Sequence, residues 1–145
     1  DIDPAALARA FAVNATGPLL VARHALALLR AAERAVFASL SARVGSIGDN
    51  RSGGWYGYRA SKAAQNMFTR NLAHEMRNRG INTVCVGLHP GTVRSPLSAP
   101  FTARMPGDRL TAPADAAQNL LRVIDGLGPE DAGRVFAWDG RPVEP

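Results

Sequence analysis

Ile81-Asn82-Thr83-Val84-Cys85-Val86-Gly87-Leu88-His89-Pro90-Gly91 is the stretch from which the fold follows. Its first eight residues form an apolar run of strand length with no polar alternation, and His89-Pro90-Gly91 stops it. A strand that is apolar on both sides belongs to a sheet covered on both faces. Working outward, Tyr56 to about Arg79 reads as a helix, with Ala60, Ala64, Met67, Phe68, Leu72 and Met76 on one stripe and Gly80 as its stop. Before it, Ala35–Ser41 reads as another buried strand, running into a Gly-rich polar loop, Arg43 to Gly54. The chain opens on a long helix capped by Asp3-Pro4, with apolar Leu7, Phe11, Leu20, Ala25 and Leu28, ending near Arg30 to Ala32. After Gly91 a loop rich in Pro, Ser and Arg runs to about Leu110. Thr111-Ala112-Pro113 then caps a helix, Ala114 to Leu127, and Arg134 to Trp138 forms a third strand. Three strands alternating with three helices predict a parallel, doubly wound α/β sheet of Rossmann type, in a single domain over residues 1–145.

Composition narrows the classes. With 46% apolar and 20% charged residues the chain is globular in character. A net charge of +5 raises nucleic-acid binding, but the basic residues are scattered singly without aromatic interleaving, so no nucleic-acid partner is expected. No apolar run of roughly 18 residues free of charge is read, nor a signal-peptide pattern, so no membrane partner is expected and the cytoplasm is the expected location. The one cysteine, Cys85, lies inside the buried strand, and the three histidines stand apart from any ligand spacing, so no metal site is expected.

The chemistry gathers at Tyr58-Arg59-Ala60-Ser61-Lys62. Four residues on a helix bring a side chain back to within about 40° of its starting direction, so Tyr58 and Lys62 share a face. A phenol is too weak an acid or base at neutral pH unless a fixed positive charge favours its anion. A compact ammonium with three rotatable donors can serve both the phenol and a ligand hydroxyl, which a guanidinium cannot. Of seventeen basic residues, Lys62 alone is lysine.

This pentapeptide resembles the Y-x-[AS]-[ST]-K signature of short-chain dehydrogenases/reductases. Ser41-Ala42-Arg43-Val44-Gly45-Ser46-Ile47-Gly48, Gly53-Gly54-Trp55-Tyr56 and His89-Pro90-Gly91-Thr92-Val93 resemble the C-factor-like branch more narrowly. The resemblance covers nearly the whole chain. It implies an NAD(P)(H)-dependent oxidoreductase acting on a small carbonyl or alcohol, with Tyr58 as acid/base and Lys62 lowering its pKa and holding the nicotinamide ribose. Ser41, with Ser39 as the alternative, would polarise the carbonyl. Many family members end this strand Ser-Ser with the second serine catalytic, whereas this chain has Ser41-Ala42.

Asn14 matches the family's N-x-x-G, whose Asn carbonyl holds a proton-relay water. Independently, Pro18 has no N–H, so the Asn14 carbonyl loses its helical donor, which either opens a water site or simply kinks the helix. Pro90, Gly91, Val93 and Ser95 match the stretch that binds the nicotinamide end, with the Val93 backbone on the carboxamide, and their place beyond a strand's carboxyl end suits a ligand. The resemblance also implies a homo-oligomer built through the first two long helices. A Gly-rich phosphate turn is not found. The family's first four strands would fill on the order of 90–100 residues at about 30 per βαβ unit, so these residues read as the C-terminal catalytic part of a longer chain. A non-catalytic interaction or signalling protein on the same scaffold, or an inactive truncated fragment, is the alternative.

Overall fold

The computed structural model describes residues 2–103, 106 and 110–145; of the loop expected up to Leu110, residues 104, 105 and 107–109 lie outside them. A sheet of order β1-β2-β3-β4 is formed by β1 (Ala35–Leu40), β2 (Thr83–His89), β3 (Val135–Ala137) and β4 (Pro142–Val143). The first three are parallel, as the alternation of elements requires, with Ala35 opposite Thr83 and Gly87 opposite Val135. The two-residue β4, antiparallel to β3, is too short and too close to Pro142 to have shown in the sequence pattern.

The helices are α1 (Pro4–Phe11), α2 (Gly17–Ala31), α3 (Tyr56–Asn78), the single turn α4 (Ala99–Thr102) and α5 (Pro113–Asp125). Side chains of β2 alternate between two helix layers. Val84, Val86 and Leu88 pack with Leu120, Val123 and Ile124 of α5, whereas Cys85 packs with Leu26 of α2 and Ala73 and Met76 of α3. The sheet is therefore covered on both faces, and its β1 side is an edge where Leu40 stays 60% exposed.

Asp3 caps the first helix by accepting from the N–H groups of Ala5 and Ala6, with Pro4 in the first turn. Between α1 and α2 the chain adopts one π-helical turn, Ala12–Thr16, in which the Gly17 N–H reaches the Ala12 carbonyl. This is the irregularity that Pro18 forces. Along the helices, burial does not follow apolarity. In α2 the buried positions are Ala22 and Leu29, in step with Ala15 of the π-turn, while Leu20 and Leu28 face outward. Small side chains let the helix approach α3 and β1, and the bulky residues are left outside. The continuous helical span Pro4–Ala31 is moreover long and apolar enough, by length and composition, to cross a membrane, because only Arg23 interrupts its central apolar part.

In α3 the buried stripe is Ser61, Lys62, Gln65, Thr69, Ala73 and Met76; of the apolar set read from the sequence Met76 is buried and Leu72 packs against the core, whereas Ala60 and Met67 are exposed. The inward face is polar over its first three turns because the site lies there. The α3 backbone also comes unusually close to the turn after β1. A Cβ on Gly45, in the 3-10 turn Arg43–Gly45, would lie 2.8 Å from the Lys62 Cβ and 2.9 Å from its carbonyl carbon.

A methyl group has no room in that contact, so Gly45→Ala is expected to lower the stability of the full-length protein by about 1–3 kcal/mol. A thermal or urea unfolding midpoint measures the loss, against Gly126→Ala, where φ is −84° and a Cβ meets only ordinary contacts at 3.7 Å, as the control.

Candidate active site

Parallel strands end on one side of a sheet, so the loops after β1 and β2 lie together; the Ser41 N–H bonds the Leu88 carbonyl at 2.8 Å. The N-terminal end of α3 returns to the same edge. Three consecutive left-handed residues, Gly53, Gly54 and Trp55, turn the chain into that helix. Arg59 holds the turn by donating to the carbonyls of Gly53 and Val44 and to the Ser52 hydroxyl.

Tyr58 and Lys62 occupy one face, as expected, with the Lys62 Nζ 5.9 Å from the centre of the Tyr58 ring. Lys62 is only 8% exposed. Its ammonium donates to the Leu40 carbonyl at 2.7 Å and to Gln65 Oε1 at 2.9 Å, and Gln65 Nε2 donates to the same carbonyl at 3.0 Å. Burial holds the Lys62 amine below its usual pKa and pushes the Tyr58 phenol up. Burial thus sets the net direction at Tyr58, upward, against the depression expected from Lys62. The ammonium lies against the ring and bonds to acceptors deeper in the protein, so desolvation of the phenolate outweighs the attraction.

Ser41 stands at the end of β1, and its one O–H is given to Asn66 Oδ1 at 2.5 Å. Asn66 lies one helical turn beyond Lys62, so this bond ties the end of β1 to α3 on the Lys62 side of the site. Gly87 opens the space for this pair, since a Cβ there would sit 3.3 Å from the Ser41 Cβ. Ser39 lies one step deeper, bonded to Thr69 at 3.4 Å. Asn14 reaches α3 from the π-turn: its Nδ2 donates to the Ser61 Oγ at 3.0 Å, and that hydroxyl donates to the Tyr58 carbonyl at 2.9 Å. Ser61, Gln65 and Asn66 are the site residues that sequence reasoning passed over. The available signal was their polarity at three- and four-residue steps from Tyr58 and Lys62 on one helix face.

Pro90, Gly91, Val93 and Ser95 follow β2. Gly91 has φ +78°, and a Cβ there would come within 3.0 Å of the Trp138 indole, so only glycine gives this turn. Val93 forms an isolated bridge with Thr111 whose two hydrogen bonds use the N–H groups of Arg94 and Thr111, not that of Val93. The Val93 carbonyl accepts from Ser98 Oγ at 2.6 Å, and Ser95 and Ser98 bond reciprocally. Beside this loop His89 keeps a buried Nδ1 with no partner. Burial, then the Arg43 charge, lower its pKa, and Asp139 opposes them.

Comparison with known proteins places this arrangement. The family pattern described as short chain dehydrogenase matches residues 1–106. The C-signal of Myxococcus xanthus is 43% identical over 143 residues, covering 99% of this chain and 81% of that protein. The 1-hydroxy-2-glutathionyl-2-methyl-3-butene dehydrogenase of Rhodococcus sp. (strain AD45) is 40% identical over 133 residues, 91% of this chain and 55% of the relative. The crystal structure of NADPH-bound carbonyl reductase from chicken fatty liver superposes with a TM-score of 0.85 at 25% identity, over 99% of this chain and 58% of that one. The chain thus spans a little over half the length of the dehydrogenase and reductase it matches.

The His89 environment fixes the sign of a pH effect. Its folded pKa lies below the usual 6.5, so the unfolded chain binds a proton more readily as pH falls through that value. The His89 contribution to stability is present above about pH 6.5 and is lost below it. Unfolding midpoints of the full-length protein measured from pH 7.5 to 5 are expected to fall less steeply for His89→Asn than for the parent.

Proposed function

Because this chain belongs to the short-chain dehydrogenase family, we propose that it is the C-terminal catalytic part of an NAD(P)-dependent oxidoreductase acting on a small carbonyl or alcohol. The observation that carries the reading is the lone lysine of the chain, buried one helical turn from Tyr58 with its ammonium on the phenol ring. The 40% identical dehydrogenase and the NADPH-bound reductase that shares the fold support it.

The loop after β2 suits the nicotinamide end of such a cofactor. Gly91 keeps the turn low against Trp138, and the Val93 N–H is not used by the bridge to Thr111. When bound, the nicotinamide supplies or takes up the hydride. The chain's own residues handle the proton. Tyr58 gives its phenol proton to the substrate oxygen in reduction and takes it back in oxidation. Lys62 has two of its three N–H bonds engaged by Leu40 and Gln65, and the third would be free to hold the nicotinamide ribose. Ser41 polarises the carbonyl once its O–H turns from Asn66, and the Asn14 carbonyl, without an N–H four residues on, anchors the relay water. Further strands supplied by a longer chain would cover the open β1 edge, and the outward Val13, Leu20, Val21 and Leu28 fit a second copy packed on the first long helix.

One observation favours a second reading, a non-catalytic signalling protein. The C-signal is matched over 81% of its own length, against 55% for the dehydrogenase. One assay separates the two. The full-length protein is expected to oxidise NADPH or NADH with a panel of small ketones, aldehydes and quinones. Tyr58→Phe should reduce kcat by about 10²–10⁴-fold with the fold unchanged by circular dichroism. Equal turnover by parent and variant would sink the mechanism, and no turnover by either would favour signalling.

A further inference from the structure

A buried ammonium normally finds a carboxylate. Lys62 does not: no salt bridge among the described residues includes it, and its two acceptors are a backbone carbonyl and an amide. Gln65 is 1% exposed and closes a triangle with them. The triangle fixes which way the amide points. With Nε2 donating to Leu40, Oε1 must face Lys62, and the flipped amide would set an NH₂ against the ammonium. Further along the same stripe Ala73 and Met76 only pack, and a leucine at position 65 would do the same while leaving the lysine without its side-chain acceptor.

We propose that Gln65 is a positioning residue for the reaction, holding the Lys62 ammonium against the Tyr58 ring together with the Leu40 carbonyl and leaving one N–H for a ligand hydroxyl. This rests on the Tyr58–Lys62 reading above. A neutral clamp keeps the full positive charge of Lys62 available to the phenolate, which a carboxylate in the same place would cancel. The surroundings offer no competing charge close at hand. Residues 12–16 and 35–40 contain no ionisable side chain, and α1 carries only Arg9. The 3-10 turn carries only Arg43, paired with Asp49 at 3.3 Å, and β2 carries only Cys85 and His89. On α3, Arg59 is engaged with the preceding loop, and Arg70, His74, Glu75 and Arg77 lie two or more turns further on.

In the full-length protein the titration of Tyr58 is followed by NMR of 13Cζ-labelled tyrosine, its resonance assigned by its loss in Tyr58→Phe, with no substrate needed. Gln65→Met preserves volume and removes both polar atoms. It is expected to raise the Tyr58 titration midpoint by about half a pH unit or more, because the ammonium is no longer held. Lys62→Met should raise it at least as far, and Gln65→Met should add nothing in the Lys62→Met background. A packing role alone would give equal shifts with and without Lys62, and that result overturns the proposal. So does a midpoint unmoved by Gln65→Met while Lys62→Met shifts it, an outcome that leaves the Tyr58–Lys62 pair standing. A midpoint indifferent to Lys62→Met removes the pair and this inference together. Should Gln65→Met lose its circular dichroism signal, Gln65→Asn, which keeps the amide and shortens its reach, is read by the same criteria.

Discussion

The structure is organised around one buried positive charge. Taking an ammonium out of water costs several kcal/mol unless its donors are satisfied, and Lys62 is satisfied where the end of β1 meets the second turn of α3. The Leu40 carbonyl it uses is exposed to such a donor because β1 ends there and the chain turns off into the 3-10 turn. The same meeting requires the backbone of that turn to touch α3, which Gly45 permits. Burial of the lysine, the end of the strand and the approach of the helix are therefore one constraint. Tyr58 follows from it, since a residue four earlier on the same helix can only lie over that charge.

A second constraint comes from the helix that packs on α3 through Ser61. Pro18 deprives the preceding helix of a donor, and the chain absorbs the loss in a π-turn rather than a break, so the helix continues and still covers α3 and β1. The turn carries Asn14 to Ser61, whose hydroxyl passes the contact on to the Tyr58 carbonyl. Tyr58 is thus held by its backbone from one side and by its ring from the other. π-turns inside α-helices are found at functional sites more often than chance would give, and here the physical reason is visible: the distortion points a polar side chain into a helix interface that alanines otherwise fill.

The order of strands and helices was legible because apolar runs and stop signals do not depend on what packs against them. Thr83–His89 stands within two residues of the strand read from the sequence, and Tyr56–Asn78 within one of the helix. The faces were less legible. Reading burial from apolarity placed Ala60 and Met67 inside and overlooked Gln65 and Thr69, because the inward side of α3 is polar where it serves chemistry. Leu20 and Leu28, apolar residues that mark the first helix in the sequence, face outward on α2, where the close approach selects Ala22. That Tyr58 and Lys62 share a face could be read from their spacing, and the neighbouring motifs marked the pair out. The direction of the Tyr58 pKa could not, because it depends on which acceptors the ammonium chooses, and those come from β1 and from Gln65.

That choice bears on how the site can work at all. An ammonium held deep by two neutral acceptors leaves the phenol governed by burial, and so protonated at neutral pH. A protonated phenol is the state needed to donate to a carbonyl oxygen. The reverse direction needs the phenolate, and the buried site stabilises that only if further positive charge or a hydrogen-bond donor arrives at the hydroxyl. The third N–H of Lys62 is the group on this chain best placed to organise such an arrival. The open carboxyl-terminal edge of β1 and β2, where Leu40 is exposed and the Gly91 turn lies low, is the surface on which it would occur. On the proposed reading, the proton machinery is built into α3 and the end of β1, while its direction is set by whatever occupies that edge.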